Sequence, residues 1–222
     1  MNADSDSTDS SKASWDKVEP LPERTAAYRS MMAGRAEVLR RELRQIFPRP
    51  SAFVWELGCG HGHFLAAYAA AHPNEICIGI DIAGDRIARG LRKRDRARLA
   101  NLHFLHAEAR LFLEVLTPAM PISRTFILFP DPWPKSRHHK HRILQPAFLH
   151  QLAGRSQPAA RLHFRTDFAP YFESASATLA ADPLWEIRAE PWPFEQETVF
   201  QQRAPNYESV SAVLRPAPSP VV

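Results

Sequence analysis

The sequence predicts an α/β fold: a mostly parallel sheet covered by helices on both faces. Three observations predict it. From residue 52 onward, short apolar runs alternate with segments of helical periodicity, the pattern of successive βα units. The central runs, such as 52–57, 76–81 and 124–129, are mainly apolar rather than strictly alternating, as strands buried on both faces require. The last two runs have no helical segment between them, which predicts an antiparallel finish. With 222 residues, 45% of them apolar and 23% charged, the chain is long enough for a real core and has globular composition.

Taken in order, residues 1–19 are Ser/Asp-rich without apolar periodicity and predict a disordered acidic tail. Residues 24–46 carry Arg24, Arg29, Arg35, Arg40, Arg41 and Arg44, with Val38, Leu39, Leu43 and Ile46 at helical spacing. This predicts a basic amphipathic helix stopped by Pro48 and Pro50. Strands are expected at 52–57, 76–81, 102–107, 124–129 and 160–166. Helices are expected at 63–71, 85–99, 108–116, 143–153 and 169–181. The final strands are expected at 184–189 and 207–214, with an irregular tail over 216–222. Residues 20–215 are read as one domain.

No run of eighteen apolar residues exists, and the polar start has no leader-like apolar stretch. Two cysteines, Cys59 and Cys77, do not make a disulfide scaffold and suit a reducing cytoplasm. The formal charge is +4; without the acidic first 19 residues the remainder is more basic, which permits a polyanionic partner.

The first strand runs into Glu56-Leu57-Gly58-Cys59-Gly60-His61-Gly62, which opens a helix. Such glycines allow a tight turn and close approach of a ligand to the backbone. The G-x-G-x-G spacing differs from the G-x-G-x-x-G that seats a pyrophosphate, so it fits a nucleoside ligand without one and disfavours a nicotinamide oxidoreductase. Asp81 closes the second strand, where a carboxylate can accept both ribose hydroxyl bonds. Glu56 can accept from an ammonium or order the loop. His61 and His63 read as exposed turn residues, and Trp55, Phe126 and Phe164 as packing residues.

After the most apolar strand comes Phe129-Pro130-Asp131-Pro132-Trp133-Pro134-Lys135, whose three prolines stiffen the loop and fix Asp131 and Trp133. Trp133 offers a flat face for a nucleobase. Asp131 can accept from a base edge or stabilise positive charge. Behind the loop, residues 135–142 hold four permanent cations and three histidines. This basic strip is unsuited to a metal, because no Cys or acid lies nearby and Lys and Arg repel a cation.

The glycine turn with its following acid resembles the class I S-adenosylmethionine-dependent methyltransferases. The resemblance implies a Rossmann-like, seven-stranded, mostly parallel sheet with an antiparallel last strand. It also implies that Gly58, Gly60 and Gly62 face the methionine part, Asp81 the ribose and Glu108 the adenine. The Pro-Trp loop followed by Arg137-His138-His139-Lys140 is more specific: over residues 30–215 the chain resembles bacterial tRNA (guanine-N7-)-methyltransferases.

Carried over by motif, Glu56, Asp81, Glu108 and Asp131 match cofactor-contacting acids, Asp131 being also the catalytic position. Lys135, Asp167 and the Thr198–Gln201 segment match substrate positions, to which Trp133 and Arg137 are added from the loop. Three departures stand out: Glu108 replaces the usual Asp, Arg165 replaces Lys, and Gln201 replaces Glu, losing a charge at a substrate position. The resemblance implies methyl transfer from S-adenosylmethionine to N7 of a variable-loop guanosine in tRNA. The alternatives are a paralogue acting on another RNA or a small nitrogen heterocycle, and a non-catalytic RNA-binding relative. RNA phosphates would be met by three basic segments, 24–44, 86–98 and 135–142. The expected partner is tRNA, with no membrane and no metal.

Overall fold

In the computed structural model, residues 23–196 and 206–216 are described. The order is α1 (Glu23–Ile46), β1 (Phe53–Leu57), α2 (His63–Ala71), β2 (Ile76–Asp81), α3 (Gly84–Ala97), β3 (Leu102–His106), α4 (Ala109–Val115), β4 (Ile122–Leu128), a 3-10 turn (Ser136–His141), α5 (Pro146–Ala153), β5 (Ser156–Thr166), α6 (Ala169–Ala181), β6 (Trp185–Ile187) and β7 (Glu208–Leu214). The predicted tail at 1–19 lies outside the described residues, as do 217–222 of the predicted C-terminal tail.

The chain forms two compact units that divide at Arg35/Ala36. The first is described only through the N-terminal part of α1. In the second, α1 buries Ala36, Leu39 and Leu43, a three- and four-residue spacing that makes one face. Val38, expected on that face, is exposed.

The seven strands are ordered β3-β2-β1-β4-β5-β7-β6. β1 to β5 pair in parallel. β7 is antiparallel to both β5 and β6, so the expected antiparallel finish is what forms. Along β1, Trp55 stacks on Phe112 of α4 at 5.3 Å, while Val54 joins the opposite cluster containing Phe64 and Tyr68 of α2. The two faces of one strand thus enter two different helix layers. The order reverses between β1 and β4, and a crevice for ligands opens at the carboxyl ends of strands flanking such a reversal. The glycine turn leaves β1 there, and the proline loop leaves β4 beside it.

Several boundaries differ by a few residues, two of them through single residues. Phe129 has φ +49 and falls outside β4. α5 begins at Pro146 rather than 143, because proline fits the first helical turn but not an interior.

Candidate functional site

The turn after β1 is docked onto β2: the Gly58 and Cys59 N–H groups both donate to the Ile80 carbonyl at 2.9 Å. Gly58, Gly60 and Gly62 all have left-handed φ, +72, +54 and +67. They differ in what surrounds them. A Cβ at Gly58 or Gly60 would meet nothing within 4 Å, so both border open space. A Cβ at Gly62 would stand 2.2 Å from the Phe104 ring, and Gly79 and Gly90 approach the same ring closely. Gly62 therefore serves helix–sheet packing in addition to any part in a ligand cradle, and its N–H donates to the Cys59 carbonyl at 2.8 Å.

Asp81 is buried at the end of β2. Its Oδ2 accepts from the Gly60 N–H at 2.9 Å and its Oδ1 from the Ala83 N–H at 2.8 Å, and Arg86 stands 3.6 Å away. The carboxylate thus orders the glycine turn while keeping lone pairs for a ligand. Glu56 is also buried, with no hydrogen-bond partner for Oε2 among the described residues. Burial pushes its carboxyl up to about 8; the Leu65 N–H pulls it down, the Asp81 charge raises it and Lys93 lowers it. A buried acid with an unpartnered oxygen beside two open glycines fits the ammonium group of an amino-acid-bearing nucleoside. Ile82, directly after Asp81, is 74% exposed, an apolar side chain standing in water at the crevice edge. Sequence reasoning missed it; the signal was an apolar residue immediately after the strand-ending acid. Glu108 is exposed before α4, and the Ala107 N–H donates to the Asp81 carbonyl, which puts Glu108 at the same sheet edge.

Across the crevice, the proline loop starts with the Phe129 N–H donating to the Arg165 carbonyl at 2.8 Å. Asp131 is exposed. Trp133 has φ +45, is 36% exposed, and has the rings of His141 and His138 at 5.0 and 5.8 Å. Lys135 and Arg137 are exposed at the start of the 3-10 turn. Beyond β5, Asp167 lines an open pocket of about 410 Å³ with Thr166, Tyr207 and Glu208. Thr198 and Gln201 lie outside the described residues.

The structure changes the reading of several basic residues. Arg165, matched to an RNA-site position, is buried: it forms a two-pronged ion pair with Glu195, both bonds at 2.9 Å, between the rings of Trp192 (3.9 Å) and Tyr207 (4.5 Å). Arg142, counted in the basic strip, is buried as well. On α3, Lys93 donates to the His61 carbonyl, Arg86 approaches Asp81 and Arg94 pairs with Asp95, whereas Arg89, Arg92 and Arg96, with Arg98 just beyond the helix, are exposed. Trp185 is core, its Nε1 donating to the Leu149 carbonyl. Among the described residues no three His, Cys, Asp or Glu side chains are grouped to hold a metal ion, and no helix is long and apolar enough to cross a membrane.

Residues 50–210 match a protein family described as "Putative methyltransferase". The chain is similar to the tRNA (guanine-N(7)-)-methyltransferase of Halorhodospira halophila, 36% identical over 73% of this chain and 73% of that protein. It is also similar to the protein of the same name from Nocardia farcinica, 40% identical over 62% of this chain; the aligned region spans about half (51%) of that relative's length. Among solved structures, the 16S rRNA (adenine(1408)-N(1))-methyltransferase of Catenulisporales acidiphilia superposes with a TM-score of 0.54 at 16% identity, over 82% of this chain and 94% of that one. At that identity the likeness speaks for the fold.

Proposed function

We propose, for a chain that belongs to the tRNA (guanine-N7-)-methyltransferase family, that it methylates N7 of a guanine in tRNA with S-adenosylmethionine as methyl donor. The observation that carries this reading is the Asp131–Trp133 loop on β4, beside the open glycine turn of β1. The test is methyl transfer to unmodified tRNA followed by mass spectrometry of the nucleosides. Expected is 7-methylguanosine; methyl incorporation without that nucleoside would overturn the reading.

S-adenosylmethionine, when bound, supplies a methyl group activated by its sulfonium. Glu56 would pair with the amino group, Gly58 and Gly60 leave room for the chain, Asp81 would hold the ribose, and Ile82 and Glu108 would meet the adenine. Guanine N7 carries an in-plane lone pair and needs no deprotonation, so the site requires no strong general base. Its work is alignment. Trp133 would stack the base, Asp167 would accept from its edge, and Asp131 would stabilise the positive charge that develops on the ring. Lys135 and Arg137 would meet phosphates, joined by the exposed arginines of α3. Two unpaired buried cysteines and a tRNA substrate fit a reducing cytoplasm.

Proton linkage at Glu56 gives a second test. With its carboxyl raised to about 8, Glu56 is protonated in the free protein at pH 7. Pairing with an ammonium needs the carboxylate, so ligand binding expels a proton and affinity rises from pH 6 toward 8. Calorimetry with S-adenosylhomocysteine in buffers of different ionisation enthalpy should register that proton, and Glu56→Gln should abolish it. Without ligand, a raised folded-state value means that this group's contribution to stability is full below about pH 4.5 and declines as pH rises to about 8.

A further inference from the structure

We infer that Arg142 is a positioning residue for the proline loop and not a phosphate contact, despite standing in a strongly basic stretch of the chain. The inference rests on the function proposed above and adds to it the element that holds Asp131. Arg142 is 4% exposed, too little to meet an RNA backbone. Its Nε donates to the Pro132 carbonyl at 3.0 Å, and its Nη1 donates to the Pro170 carbonyl at 3.2 Å and to Ser174 Oγ at 2.7 Å. Its guanidinium lies over the Tyr171 ring at 4.7 Å, and the Tyr171 hydroxyl accepts from the Ile143 N–H, fixing the backbone next to Arg142. One side chain thereby joins the loop to the first turns of α6.

Pro132 follows Asp131 directly, so the bonded carbonyl belongs to the peptide unit between the catalytic position and Trp133. Phe129 and Trp133, on either side, both have left-handed φ, a conformation that bulky residues rarely hold unless their surroundings impose it. The prolines limit the loop's freedom but cannot choose where it points. The hydrogen bond from Arg142 ties it to the body of the fold.

The planar fork of arginine makes the inference testable. Lysine keeps the charge but cannot serve the Pro132, Pro170 and Ser174 oxygens in this geometry or stack in the same way on Tyr171. A phosphate contact would tolerate Arg142→Lys; a brace would not. The experiment measures single-turnover methyl transfer at saturating tRNA and the salt dependence of tRNA affinity. It compares wild type, Arg142→Lys, Arg142→Ala and Ser174→Ala, with Arg137→Ala as the reference for a phosphate contact. Thermal melts confirm that each variant is folded.

For Arg142→Lys the rate should fall about ten- to a hundredfold, the scale of a misplaced reacting group, with KM for S-adenosylmethionine unchanged. Arg142→Ala should keep the salt slope of wild type, whereas Arg137→Ala should flatten the slope by about one. Ser174→Ala, which removes one anchor without disturbing the charge, should lower the rate severalfold. An unchanged rate in folded Arg142→Lys overturns the inference. So does a flattened salt slope in an Arg142→Ala variant. Should wild type bind tRNA without methylating it, the functional reading fails by itself, and the slope of Arg142→Ala still decides between buried brace and phosphate contact.

Discussion

Asp131→Asn should lower the rate of methyl transfer at saturating substrates by about a hundred- to a thousandfold, the range for losing one preorganised charge partner of a transition state. Asparagine keeps the size and shape of the side chain and removes its charge. The loop is held independently by Arg142 through the Pro132 carbonyl, so its course should survive the substitution. The loss therefore reports charge stabilisation rather than a displaced loop. Asp167→Asn, outside the proline loop on the pocket wall, should act mainly on the KM for tRNA, by about tenfold, because an amide accepts more weakly from a guanine edge than a carboxylate does. Steady-state and single-turnover kinetics on the same tRNA separate the two. A rate for Asp131→Asn within threefold of wild type would remove Asp131 from the chemistry.

The largest expected effect on stability belongs to Gly62→Ala. The new methyl would stand 2.2 Å from Phe104 Cζ and 2.6 Å from Cε1, at a residue whose φ is +67. Overpacking and left-handed strain together come to about 3 kcal/mol. For a domain of this size that should lower the melting temperature by roughly 6–12 °C. The ring has no easy retreat, since Gly79 and Gly90 already let β2 and α3 close on it. The double variant Gly62→Ala/Phe104→Leu should melt higher than the sum of its single effects, because removing the ring relieves the clash. A melting temperature unchanged by Gly62→Ala would refute this packing role. By contrast, Gly58→Ala places its methyl in open space, so backbone strain is the main penalty for stability and ligand affinity should suffer more.

These contrasts mark where the sequence is legible. Periodicity located α2, β2 and α6, because a buried face imposes its spacing on the residues themselves. The glycine turn, the acid after β2 and the proline loop were visible because each demands unusual residue types at fixed offsets. Partner choice was not visible. Arg142 and Arg137 look alike in a basic run, yet one lies under the loop and the other faces solvent. Arg165 suggested an RNA site, but Glu195 and two aromatic rings, brought to it from 27–42 residues away in the chain, enclose it. His163 reads as an ordinary strand residue; burial and two nearby arginine charges hold it neutral, down to about 3, against Ser211 of β7. β5 also begins at Ser156, ahead of the expected start, because Ser156 pairs with Ile122 of β4 before a register shift, with Ala159 at φ +59, after which pairing resumes at Arg161.

The position of β7 has a consequence for how the protein is made. Among the described residues β7 follows every other strand, yet it lies inside the sheet, between β5 and β6. While the polypeptide is still being synthesised, β5 keeps an open edge and β6 has no neighbour to pair with. The sheet can close only after residue 214 has left the ribosome. Until then the nascent chain exposes a template for mispairing that includes Leu162 and Phe164, both buried in the finished protein. The arrival of β7 is thus also the step that seals the sheet beside the pocket lined by Asp167.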